Sequence, residues 1–360
     1  MNVQRKPADR GRSRRRLLVC LLAPLAGLLV AEVAVRVLGI HALPLPKMRG
    51  SVVQACEDPM LLFENVPHGR QVLRYRSYSG AARTIVMQTN GQRFRGPDVD
   101  LDKPPGILRV VCLGDSHTFG AGVSEGDTWP ARLGELSGPG VEVMNCGVNG
   151  YDTLQEVLWY ERRVALFDPD VVILAFFVND VVARGLPSSE TSDRRVKRMP
   201  SKQPAWIAAC RARSRAFDVL CVSLKHRRML ENRASFYSRR DVEAHYVPSD
   251  AGWQRARDAI VRIQEDCRLA GRRFYVVLMP FVVRDEDGQF LSRRSLSVVA
   301  EYCENAGVEC FDGEPSIQEL DDGQLCISPF DSHASARVYE SFATGLAEWL
   351  RLRGLPFSAH

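Results

Sequence analysis

The chain has 360 residues, 45% of them hydrophobic and 25% charged, with a formal net charge of +5. That composition excludes a disordered or fibrous chain and leaves room for one large buried core or two modest ones. The excess positive charge is unevenly spread, so it bears on particular segments and not on the molecule as a whole.

Arg5, Lys6, Arg10, Arg12, Arg14, Arg15 and Arg16 open the chain against a single acid, Asp9, and an almost wholly apolar stretch follows at 17–39. A bilayer core takes about 20 such residues in a helix, and basic residues before the helix hold its start in the cytoplasm. The expectation is a basic tail at 1–16 and an uncleaved signal anchor at 17–39, with the rest of the chain on the extracytoplasmic side of the inner membrane. A cleaved signal peptide lacks a clean small-x-small site here, and a lipoprotein anchor fails because Val19 precedes Cys20. Glu32 and Arg36 stand four apart near the far end, where they share a helix face and can pair.

Residues 40–106 read as a small β-containing extension, with a strand over 84–88, the turn Asn90-Gly91 and a linker at Lys103-Pro104-Pro105-Gly106. From 107 the pattern becomes strand, loop, helix. Strands are predicted at 107–113, 141–146, 171–177, 274–279 and 308–311, and helices at 128–136, 154–167, 250–270, 291–305 and 334–353. This alternation predicts a parallel sheet covered on both faces. An insertion at 181–249 interrupts it, with many Arg and Lys between 194 and 240 against only Asp218 and Glu231. Phe217, Leu220, Cys221 and Leu224 recur at helical spacing there. The insertion is either a solvated helical element or a surface for anionic lipid or acidic polysaccharide. No nucleic-acid partner is expected on the outer side of a membrane.

The ten cysteines show no metal or redox spacing, and Cys303, Cys310 and Cys326 are the better disulfide candidates, with no pairing legible.

Polar groups sit at strand ends or loops in four places: Asp115-Ser116, Asn149-Gly150, Asn179-Asp180 and Asp331-Ser332-His333. In a doubly wound sheet these positions share one edge, where ligands bind. Taken alone, Ser116 reads equally as a nucleophile or as a helix N-cap. With the other three it acquires partners. His333 can take its proton, Asp331 can orient the His333 ring, and the N–H groups of Ser116 and Gly150 with the Asn179 amide can stabilise an oxyanion. Asp115 and Asp180 are expected to support them. Gly150 fits a place where backbone approaches substrate without room for a side chain.

Gly114-Asp115-Ser116, Asn145-x-Gly147-x-x-Gly150, Asn179-Asp180 and Asp331-x-His333 resemble, in order and context, the SGNH hydrolases, also called GDSL esterases and lipases. The resemblance covers about 107–354. It is nearest to membrane-anchored bacterial members associated with exopolysaccharide, which also carry a stretch like Asn90-Gly91-Gln92-Arg93. It implies a flavodoxin-like three-layer sandwich and a serine esterase with no cofactor or metal. Ser116 would be the nucleophile, His333 the base, Asp331 its orienting acid, and Gly150 and Asn179 oxyanion partners of the Ser116 N–H. Two positions depart from the pattern. Phe177 replaces the glycine of Gly-x-Asn-Asp, and Asp331 stands two residues before His333 where three is usual, leaving Asp321 and Asp322 as fallbacks.

The expected function is removal of O-acyl groups, acetyl foremost, from a carbohydrate or lipid ester. An O-acyltransferase for exported polysaccharide is the alternative, and a non-catalytic polysaccharide assembly or binding module is a second. The repeated Asp-Ser-His at 115–117 and 331–333 also admits a metal site, which would leave Gly150 and Asn179 without a role.

Overall fold

The computed structural model describes residues 10–40, 46–181, 205–236 and 243–358. Arg5, Lys6 and the parts of the insertion at 182–204 and 237–242 lie outside them. The elements begin with helix α1 (Arg10–Val37) and strands β1 (Lys47–Ala55), β2 (Phe63–Arg76) and β3 (Ala82–Gln88). Next come β4 (Leu108–Leu113), α2 (Ser116–Phe119), α3 (Trp129–Glu135), β5 (Val141–Asn145), α4 (Thr153–Arg162) and β6 (Val171–Phe177). Helices α5 (Ala205–Arg213), α6 (Arg215–Phe236) and α7 (Ala251–Leu269) lead to β7 (Arg273–Met279), α8 (Arg293–Asn305) and β8 (Cys310–Asp312). The chain closes with α9 (Asp322–Leu325), β9 (Cys326–Ser328), β10 (Asp331–Ala334) and α10 (Ala336–Arg351).

Two compact units result, Met1–Leu45 with Arg198–Glu231, and Pro46–Lys197 with Asn232–His360. In the first, Glu32 on α1 accepts hydrogen bonds from Ser214 Oγ (2.9 Å) and from the backbone N–H groups of Arg215 (3.1 Å) and Ala216 (2.9 Å). It thereby satisfies the exposed donors at the start of α6. Arg36 Nε donates to Glu32 at 2.6 Å, the pair expected from their spacing. The stretch expected as an anchor does form a helix. Among the described residues, however, no helix is long and apolar enough to cross a membrane. Leu220 and Leu224 on α6 are exposed, and the apolar stripe expected there does not form a buried seam.

The second unit is a three-layer α/β sandwich. Its five parallel strands lie in the order β5-β4-β6-β7-β8, the flavodoxin-like arrangement. Helix α3 packs with α10, and α4 with α7. Every residue of β6, Val-Val-Ile-Leu-Ala-Phe-Phe, is buried, as a strand covered on both faces requires. The extension forms a separate antiparallel sheet, β1-β2-β3, and β9 pairs antiparallel with β10. Cys303, Cys310 and Cys326 are not joined by disulfides, so the pairings considered for them are not formed. The predicted helix over 154–167 breaks at Arg163 into α4 and a short 3-10 turn at Val164–Phe167.

Candidate active site

The sheet places Ser116 after β4 and Asn179 after β6, the two strands between which the strand order reverses. In open α/β sheets that crevice is where ligands bind. Gly114 lets the chain leave β4 sharply. Its φ is +151°, and a Cβ there would stand 2.1 Å from Thr118 Oγ1. Helix capping falls to Asp115, whose carboxylate accepts the His117 N–H at 2.8 Å. Ser116 is therefore the first helical residue and not the cap. Its hydroxyl lies 3.0 Å from His333 Nε2, and His333 Nδ1 lies 2.6 Å from Asp331 Oδ1. Asp331 Oδ1 also accepts the His333 backbone N–H at 3.1 Å, and the register of β10 shifts between Asp331 and Ala334, so the local turn brings the His333 ring onto the acid two residues before it. The fallback acids do not take this place, since Asp322 pairs with Arg284 at 3.0 Å and Asp321 caps α9. Burial pushes the Asp331 carboxyl up, but the His333 ring outweighs this and holds it below the ordinary aspartate range.

Asn179 is buried and donates from Nδ2 to Asp115 Oδ2 at 3.2 Å, which leaves its second amide hydrogen for a ligand. Asp180 Oδ2 accepts the Phe177 N–H at 2.9 Å and faces Thr153 Oγ1 at 3.4 Å, so it ties the end of β6 to the start of α4. Gly150 precedes that start with φ +89°, and a Cβ there would meet nothing nearer than Phe63 Cζ at 3.7 Å. That backbone angle by itself calls for glycine. Asn145 Nδ2 donates to Thr118 O at 2.8 Å, and a Cβ on Gly147 would stand 2.4 Å from the Phe119 N. The Asn145-x-Gly147 pair thus presses directly against the turn carrying Ser116.

The sequence did not reveal several supports. Buried Arg95 donates to the carbonyls of Phe119 (2.7 Å), Gly120 (2.6 Å) and Val123 (2.6 Å), clamping the loop after Ser116 to the extension. Burial lowers its pKa to about 10. Asn65 Nδ2 joins Arg93 O and Gly147 O, both at 3.0 Å. The His117 ring, given no role from sequence, stacks on Phe177 with centroids 3.9 Å apart and lies 5.4 Å from the His333 ring. Among the described residues, no group of three His, Cys, Asp or Glu side chains is arranged to hold a metal ion.

Glu156 on α4 is 1% exposed, and among the described residues neither carboxyl oxygen has a hydrogen-bond partner. Burial, then the charges of Asp180, Asp115 and Asp152, raise its pKa well above the ordinary glutamate value. The unfolded chain gives up this proton first, so above about pH 4.5 stability falls by roughly 1.4 kcal/mol per pH unit until the folded carboxyl ionises. Glu156→Gln removes that slope. Its urea midpoint is expected to exceed that of the wild type by more at about pH 8 than at about pH 5. An equal difference at both would mean that Glu156 is ionised in the fold.

Residues 112–340 match the sequence profile of the GDSL-like lipase/acylhydrolase family. The chain belongs to this family. It is an ester-hydrolysing enzyme. No curated protein sequence matches it. Among solved structures, a putative lipolytic protein of the G-D-S-L family from Desulfitobacterium hafniense is 15% identical, with a TM-score of 0.39 over 66% of this chain and 97% of that one. An acetylxylan esterase from Geobacillus stearothermophilus is 12% identical, with a TM-score of 0.40 over 67% and 93%. A putative acylhydrolase from Bacteroides fragilis is 12% identical, with a TM-score of 0.39 over 71% and 92%.

Proposed function

We propose that this GDSL-family hydrolase works through Ser116, His333 and Asp331 to remove O-acyl groups, acetyl foremost, from a carbohydrate outside the cytoplasm. The observation that carries the catalytic part is the run of contacts from Asp331 Oδ1 through His333 to Ser116 Oγ, at 2.6 and 3.0 Å. His333 Nε2 takes the hydroxyl proton as Oγ attacks the ester carbonyl. The carbonyl oxygen becomes an oxyanion, met by the N–H groups of Ser116 and Gly150 and by the Asn179 amide. No other described group occupies those two backbone N–H groups. The alcohol departs with the proton from His333, leaving the acyl group on Ser116. Water then attacks the acyl-serine, giving a proton to His333, which passes it to the departing Ser116 Oγ as the acid is released.

A short acyl group is supported by the stacked, buried pair His117 and Phe177 beside the nucleophile, where the family's usual glycine would leave space. The location is supported by the basic residues at 5–16 followed by the apolar stretch 17–39. It is supported too by the exposed apolar side chains Leu28, Leu29, Val30 and Val33 on α1. Transfer to a polysaccharide hydroxyl in place of water would use the same acyl-serine. Mass spectrometry of the detergent-solubilised full chain with an O-acetylated polysaccharide separates the two outcomes. Free acetate from the wild type and none from Ser116→Ala is the expected result. Acetyl groups that reappear on an added glycan acceptor, with no acetate, would replace hydrolysis by transfer. Release of neither sinks the glycan assignment.

A further inference from the structure

The extension carries a second feature that ester hydrolysis does not use. Residues 47–55 and 65–88 contain no Asp or Glu, yet they hold Lys47, Arg49, Arg70, Arg74, Arg76 and Arg83. The register sorts these by face. Arg70, Arg74 and Arg76 alternate along β2, so they share one face with Val72. Lys47 lies directly opposite Arg74, and Arg49 opposite Val72, which brings both β1 cations onto that same face. Arg83 pairs with Tyr75 and belongs to the other face, where Tyr75 Oη donates to Gly122 O in the loop after Ser116.

All five cations on the outer face are exposed, and none takes part in an ion pair with another described residue. Strands rise about 3.3 Å per residue and lie about 4.8 Å apart, so the charge forms a stripe about 20 Å long and two strands wide. The neighbouring positions on β3, opposite Arg70 to Arg76, are Gln88, Val86, Thr84 and Ala82, all uncharged. Like charges directly opposite, as in Lys47 and Arg74, cost stability unless anions answer them.

We infer that this face binds a linear polyanionic glycan, one bearing carboxylates along its length, and so holds an acidic polysaccharide to the enzyme. The inference rests on the glycan reading above and names the substrate as acidic. A narrow stripe flanked by neutral residues matches an extended chain of charges. A bilayer surface would meet a broad basic area, which β3 does not provide. Guanidinium groups suit the task because each presents a planar fork of donors to a carboxylate.

The test compares full-length wild type with Arg49→Ser/Arg70→Ser/Arg74→Ser for binding to polygalacturonate, with neutral dextran, anionic phospholipid vesicles and an oligonucleotide as the other arms. The wild type is expected to bind polygalacturonate with an affinity that falls steeply with salt, and the triple variant about tenfold or more weakly with a shallower salt slope. Arg49→Lys/Arg70→Lys/Arg74→Lys, which keeps the charge, is expected to retain most of the binding. Hydrolysis of 4-nitrophenyl acetate stays unchanged in both, which also shows that they fold. Unchanged binding in the serine variant, or equal binding to dextran, overturns the inference. Tighter binding to the vesicles or to the oligonucleotide also overturns it. Loss of 4-nitrophenyl acetate hydrolysis in Ser116→Ala with polygalacturonate binding intact separates the two claims. If the wild type binds the polymer but hydrolyses no ester, the catalytic reading fails and the stripe stands.

Discussion

Ser116→Ala is expected to lower kcat on a small acetyl ester by on the order of 10⁶, with little change in KM. The size follows from what the hydroxyl does. Without Oγ no acyl-enzyme forms, and His333 has only water to activate at a distance set for a side-chain oxygen. The groups proposed as oxyanion donors remain, because Asn179 is held by Asp115 and the end of β6 by Asp180, and not by the serine hydroxyl. Their residual effect over water is of order 10³–10⁴, so the variant should be slow but measurable. Alanine has the helix propensity to occupy the first turn of α2, and Asp115 keeps the cap, so the melting temperature should barely move. A serine-directed phosphonate should add its mass to the wild type and not to the variant. A variant retaining a tenth of wild-type kcat would remove Ser116 from the chemistry.

The parallel sheet was legible because burial on both faces writes itself as unbroken apolar runs, and β4, β6 and β7 stand within a residue of where those runs predict them. The positions of Ser116 and Asn179 at one end of the sheet were legible for the same reason, since they stand just past β4 and β6. The long strand β2 was not. Pro67, His68 and Gly69 interrupt its pattern, His68 has φ +52°, and the strand exists through its pairing with β1 and β3. Strand β10 is four residues with a polar sequence, so nothing local marks it, although it sets the direction of Asp331 and His333. Arg95 and Asn65 answer carbonyls 24 to 82 residues away, a relation that spacing cannot carry. Nothing in the sequence around Glu156 marks it out. Only the sheet shows that it is enclosed with three other carboxylates.

Asp331→Asn is the sharper test of the unusual Asp-x-His spacing, and it is expected to cost about 10⁴ in kcat. The carboxylate accepts from His333 Nδ1 at 2.6 Å and also from the His333 backbone N–H at 3.1 Å. The first contact keeps the imidazole proton on Nδ1, so Nε2 presents its lone pair to Ser116. An asparagine amide turned toward Nδ1 donates where the carboxylate accepted, which drives the proton to Nε2 and points a donor at the serine. The pH profile carries an independent sign. His333 holds the Asp331 carboxyl below its ordinary value, and by reciprocity the Asp331 charge favours a proton on the imidazole. The carboxylate thus stays ionised while the base titrates, and its removal moves the acid limb of kcat/KM to lower pH. Asp322→Asn, which breaks an exposed contact with Arg284, should leave both kcat and the limb where they were. A large loss from Asp322→Asn with none from Asp331→Asn would reassign the acid. A loss in Asp331→Asn with no movement of the limb would mean that the residue shapes β10 without acting on the His333 ring.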